Sequence, residues 1–263
     1  MPTRVHELFL DGVEDAIRSE LKAIREESDR IALFAQKVRP ARSTEIQFPV
    51  EDPITSSKKS KHEPDASFWH MDAEYPGVVI EVAYSQKKRR LYRLAEKYLL
   101  DSDANIRVVV GLDIEYGEKG TRKAALSIWR PTVVQAPNGQ ELQVDPTGAD
   151  KIFRDDQGNP VQGTELQLRL SDFASKSLVQ EELGNLDKTL VITAKQLCIC
   201  LSAAEAKSRR EGAPRRDALP QGVQKRKREE TPPDQITSSD DARYDMEVER
   251  AAKRMAHGDP DYT

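Results

Sequence analysis

The stretch Val78-Val79-Ile80-Glu81-Val82-Ala83-Tyr84-Ser85 decides the reading of this chain. Six of the seven residues from Val78 to Tyr84 are β-branched or otherwise apolar, a near-continuous run and the pattern of a strand covered on both faces and therefore central in a sheet. Glu81 interrupts it. A carboxylate in such a strand costs several kcal/mol unless it has a partner, and a metal ion is one way to supply that partner. Tyr75-Pro76-Gly77 marks a turn before the run, and Ser85 is suited to cap a helix after it.

Working outward, the helix is expected over 86–100 with Leu91, Leu94, Ala95 and Tyr98 on its apolar face. On the other side, Pro64-Asp65-Ala66-Ser67-Phe68-Trp69-His70 reads as a strand. Asp65 opens it 16 residues before Glu81, a separation suited to antiparallel neighbours joined by the 72–77 connection. Two carboxylates on adjacent strands then converge and offer hard oxygen ligands to Mg²⁺ or Mn²⁺, which activates water for attack on a phosphodiester.

Upstream, Leu10, Val13, Ile17, Leu21, Ile24, Ile31, Phe34 and Val38 recur at helical spacing, with a break expected at 26–29 and a stop at Pro40. Residues 44–50 alternate as a half-buried strand, and 55–62, rich in Ser and Lys, read as a polar loop. Downstream, 106–114 and 124–129 read as buried strands. Pro137-Asn138-Gly139 reads as a hairpin turn between 132–135 and 141–144, and 164–170 as a further strand. Residues 190–206 read as a second long helix. The helices at 10–38 and 190–206 also admit an oligomerising scaffold, although such stripes more often lie on their own domain.

The order helix, three strands, helix, strand, together with Pro64-Asp65 and Glu81-Val82-Ala83, resembles the PD-(D/E)XK nuclease superfamily. More narrowly, Val79 to Ser85, the basic helix ending at Tyr98, the 106–113 strand and Leu166 to Phe173 resemble small stand-alone bacterial endonucleases. The resemblance covers about residues 44–173. It implies an α/β restriction-endonuclease-like fold, a mixed sheet flanked by helices, with Asp65 and Glu81 as metal and catalytic residues. The superfamily usually carries Lys two positions after the glutamate, where this chain has Ala83. Some members take the lysine from the next helix. At 100° per residue from Leu91, Lys87 falls at about −40° and Lys88 at about +60°, both bordering the inward face, whereas Lys97 falls about 110° from its centre. Lys87 and Lys88 are thus the expected source of the ammonium. Glu63 and Glu20 are weaker candidates for a further ligand, and His62 and His70 flank the second strand without ligand spacing.

The composition sets bounds. Of the 57 residues from Lys207 to Thr263, 14 are apolar and none is Phe or Trp, too few to form a core. This segment is expected to be a disordered tail. Arg215-Arg216 and Lys225-Arg226-Lys227-Arg228 in it resemble a bipartite nuclear localisation signal. The expected organisation is an amphipathic helical region at 1–40, a nuclease-like domain at 41–206 and the tail at 207–263. No run approaches the ~20 residues of a bilayer span, and the N-terminus is not read as a signal peptide. Cys198 and Cys200 lie inside an apolar run and suit a reducing compartment. The expected function is a divalent-metal-dependent nuclease acting on DNA in the nucleus, brought there by an import receptor bound to the tail. The alternative is a nuclease-like nucleic-acid-binding or interaction protein that no longer cuts. A net charge of −4 decides nothing by itself.

Overall fold

The computed structural model describes residues 3–27, 29–49, 59–84, 88–115 and 121–209, and the side chains at 59, 84, 88–90 and 209 are not described. All of them belong to one compact unit spanning residues 1–214. Lys87 and the tail from residue 210, with its basic clusters, lie outside the described residues.

A mixed sheet of seven strands forms the centre, in the order β1 (Val38–Pro40), β4 (Ala66–His70), β5 (Val78–Tyr84), β6 (Val108–Ile114), β7 (Ala124–Ala136) and β8 (Gly139–Asp145), with β9 (Lys151–Arg154) also paired to β7. Only β5 and β6 run parallel, as expected for strands joined through a crossover helix, here α3 (Lys88–Asp101). Two further ribbons stand apart, β2 (Ile46–Pro49) with β3 (Lys59–His62) and β10 (Glu165–Arg169) with β11 (Thr189–Thr193). The expected α/β architecture with a mixed sheet between helices is therefore present.

The period-two alternation of β5 sorts its side chains onto two cores. Val78, Ile80 and Val82 join Phe9, Val13, Ile17 and Leu21 of α1 (Arg4–Arg25) and Leu197 and Leu201 of α5 (Ala194–Arg209). Val79 and Ala83 join Leu91, Ala95, Tyr98 and Leu99 of α3 and Phe48 of β2. Glu81, between Val79 and Ala83, accordingly stands on the α3 face. The apolar stripes of α1 and α5 pack into the domain's own core. Among the described residues no helix is long and apolar enough to cross a membrane.

Several elements differ from the expectation. The long N-terminal helix begins at Arg4, where Thr3 Oγ1 accepts the His6 N–H, and is interrupted where expected, with Asp29 capping α2 (Arg30–Lys37). The loop read at 55–62 contains β3. The strands read at 124–129 and 132–135 are one strand, because β6 pairs β7 no further than Trp129 and Pro131 lies beyond that point. Residues 189–193 are a strand rather than the start of the last helix, and α4 (Lys176–Glu182) and β9 are additional.

Candidate functional site

The antiparallel register of β4 and β5 matches Ala66 with Ile80, Ser67 with Val79 and Phe68 with Val78. Asp65 stands at a bend just before this ladder, next to the part of β5 that carries Glu81. Pro64 ends the ladder there, and the Asp65 side chain takes over the pairing, its Oδ2 accepting the Val82 N–H at 2.7 Å. The Pro-Asp sequence thus has a local structural meaning: the first residue stops the strand and the second turns its carboxylate toward β5.

Each carboxylate is held from a different helix. Asp65 Oδ2 also lies 3.0 Å from His6 Nε2, in the first turn of α1. Burial pulls the His6 imidazole toward the neutral form, but the Asp65 hydrogen bond and charge, with Glu7 behind, leave its pKa above the usual histidine value. Glu81, 8% exposed, accepts a hydrogen bond from the Tyr98 hydroxyl of α3 at 2.8 Å. Burial first, then the charge of Glu81 and its hydrogen bond, and finally the charge of Asp65, push the phenol well above its ordinary range. Tyr98 therefore lies within the field of both carboxylates.

Around this pair, His62 of β3 packs edge-on against Tyr98, with ring centroids 5.8 Å apart. Burial, then the Lys97 ammonium, hold His62 below the usual histidine range. Lys97 itself pairs with Asp101 at 3.5 Å. Ala83, at the position where a strand lysine was sought, packs in the apolar cluster with Leu91 and Ala95 and stands beside Asp113 in the β5–β6 register. Lys88 begins α3, four residues after β5 ends. Glu63 is exposed and Glu20 half-buried. The α1 residue that meets Asp65 is His6. Spacing did not reveal it, because the apolar periodicity of α1 starts at Leu10, one turn later.

A second cluster competes as a place for a metal ion. Ligand atoms of His70, Asp72 and Glu182 lie within 4.8 Å of one another, the one such group of three found among the described residues. Lys37 Nζ already stands between the two carboxylates, 2.9 Å from Asp72 and 2.8 Å from Glu182. His70 Nδ1 accepts the Asp72 N–H, so in the neutral ring the hydrogen is on Nε2, the atom facing Glu182 at 3.6 Å. An ion here would have to displace an ammonium and a proton. The cluster works as a clamp joining α2, the end of β4 and α4.

No family model, curated protein or solved structure matches this chain.

Proposed function

We propose that this protein is a divalent-metal-dependent nuclease of the PD-(D/E)XK, restriction-endonuclease-like type, hydrolysing DNA phosphodiester bonds. The observation that carries the reading is that Asp65 accepts the Val82 N–H and so sits beside Glu81 at the junction of β4 and β5, with His6 of α1 holding one carboxylate and Tyr98 of α3 the other. The donor set fits Mg²⁺ or Mn²⁺, since both groups offer carboxylate oxygen and the neighbouring Tyr98 hydroxyl and Val82 amide keep them oriented. When bound, the ion supplies an activated water and neutralises charge on the phosphate.

The chain's own residues do the rest. His6 and the Val82 amide fix one oxygen of Asp65, which sets the rotamer in which it meets a ligand. Tyr98 does the same for Glu81. Lys87 or Lys88 provides the ammonium that polarises the water or stabilises the charge developing in the transition state. Arg93, farther along α3, adds a phosphate contact. The tail's basic clusters engage an import receptor and direct the protein to the nucleus.

Ala83 favours a second reading. Its packing against Leu91 and Ala95 fills the place of a strand lysine with apolar contact, as in a nuclease-like nuclear protein that binds nucleic acid without cutting. Incubation of the purified chain with DNA and Mg²⁺ or Mn²⁺ decides between them. Cleavage lost in Asp65→Ala and Glu81→Ala supports the enzyme, and binding without cleavage in either metal supports the second reading.

A further inference from the structure

On the α3 face of the sheet, a cavity of about 370 Å³ opens between α3, β6, β7 and the loop before β9. Its walls are Leu91, Tyr92, Trp129 and Ala149, and its polar groups are Arg93, Asp113, Ser127 and Asp150. The size is at the lower end for ligand pockets, suited to one ring system rather than a large molecule.

The cavity depends on unusual backbone. Gly148 approaches β7 so closely that a Cβ would stand 2.1 Å from the Ile128 carbonyl oxygen, and Ile128 N–H donates to Gly148 O at 2.9 Å. Asp150 has a φ of 55°, a left-handed conformation that non-glycine residues seldom adopt. Its N–H donates to Ser127 Oγ at 2.9 Å, which pins the loop to the floor. On the floor, Gly111 leaves room for the Trp129 ring to cross it, at 2.5 Å from where a Cβ would be. Strain of this kind concentrates at ligand clamps.

The lining also selects the ligand. Two carboxylates against one guanidinium do not favour an anion, so a phosphate is a poor occupant. A neutral planar ring whose edge carries both donors and acceptors fits better. The Ser127 hydroxyl on the floor meets such an edge, and Tyr92, 40% exposed and edge-on to Trp129 at 6.4 Å, offers a ring on which it can stack. Asp113 stands beside Ala83 across the parallel register, so strand spacing and rise separate its Cα from that of Glu81 by about 8 Å. A strand whose phosphate lies at the carboxylates can turn a base into the cavity.

We infer that this cavity receives a nucleobase of the substrate strand, so that the protein acts on single-stranded DNA. The inference rests on the nuclease reading for the position of the phosphate. A base inside an intact duplex cannot reach such a cavity.

The test compares the full chain with Tyr92→Ala and Ala149→Phe, the first removing the stacking ring and the second filling the cavity. Binding of a single-stranded oligonucleotide containing 2-aminopurine, and of its duplex, is followed by fluorescence in chelator so that cleavage cannot proceed. The expected result is tighter binding of the single strand, about tenfold weaker in Tyr92→Ala, with duplex binding unchanged. Tyr92 is exposed, so this variant reports even if Ala149→Phe fails to fold. Wild-type affinity in Tyr92→Ala, or equal affinity for single strand and duplex, overturns the inference. Tighter binding of deoxyadenosine monophosphate than of the oligonucleotide also overturns it, in favour of a free-nucleotide pocket. Metal-dependent cleavage with unchanged Tyr92→Ala binding would dismiss the pocket and keep the nuclease. Tyr92-dependent single-strand binding without cleavage in any metal would do the reverse.

Discussion

The Tyr98 hydroxyl of α3 donates to Glu81 Oε1 of β5 at 2.8 Å, and this hydrogen bond ties the crossover helix to the acidic residue of a central strand. Both residues are buried, so the contact holds a carboxylate that the sheet alone would not tolerate. Tyr98→Phe keeps the ring and removes the donor. We expect a loss of about 1.5–3 kcal/mol in urea denaturation, the usual range for a hydrogen bond to a charged group. Cleavage should fall roughly 10–100-fold, as when a residue orienting a metal ligand is removed. Unchanged stability would mean that Glu81 is held by other groups.

Arg154 of β9 and Glu205 of α5 form a buried two-pronged ion pair, with Nη1–Oε1 2.6 Å and Nη2–Oε2 2.9 Å. Burial raises the Glu205 carboxyl, but the Arg154 hydrogen bonds and charge, with Arg122 alongside, bring it below the usual range. Truncating one partner leaves the other charge buried, so Arg154→Ala or Glu205→Ala should cost about 3–5 kcal/mol. Chemical denaturation of each variant checks this. A loss under 1 kcal/mol would show that water reaches the pair.

His70, fully buried and tilted against the Phe34 ring with centroids 4.6 Å apart, is held below the usual histidine range, chiefly by burial. Glu182 and Asp72 oppose that effect and Lys37 adds to it. The folded protein then binds the imidazole proton less readily than the unfolded chain. The stabilisation is complete above pH ~6.5, the unfolded value, and is lost as pH falls from there through the folded pKa. Unfolding free energies of wild type and His70→Gln between about pH 7.5 and 5 should therefore converge toward acid. A constant difference between them would contradict this assignment.

How far the sequence carried the fold depended on whether hydrophobic alternation was present to read. β5 and β6 are apolar on both faces, and α1 carries a full stripe, so these were legible. β3, Lys59–His62, is made of Lys, Ser, Lys and His, so it has no hydrophobic alternation to detect. β11 was hidden because Leu190 and Ile192 run directly into the helical spacing of Leu197 and Leu201, and only the backbone shows the change at Ala194. α4 has no buried residue and hence no apolar signature. In the site, Asp65 and Glu81 were legible from residue type within the element order, whereas His6 and Tyr98 act through distant contacts that spacing does not encode. Tyr98 was read only as part of an apolar face.

The tail can be tested separately from the fold. A reporter fused to residues 207–263 should enter the nucleus, and neutralising Lys225 to Arg228 should leave it in the cytoplasm under fluorescence microscopy. Nuclear entry without the clusters would refute the localisation signal.

The most direct test of the site is a double-mutant comparison of cleavage rates in Mg²⁺ and Mn²⁺ for wild type, Asp65→Asn, Glu81→Gln and the pair together. Residues that act as one unit are strongly non-additive. If the two carboxylates form a single metal site, each single substitution should reduce cleavage to the same floor as the double. Cleavage that survives in the double variant, or losses that simply multiply, would contradict a shared catalytic centre at Asp65 and Glu81.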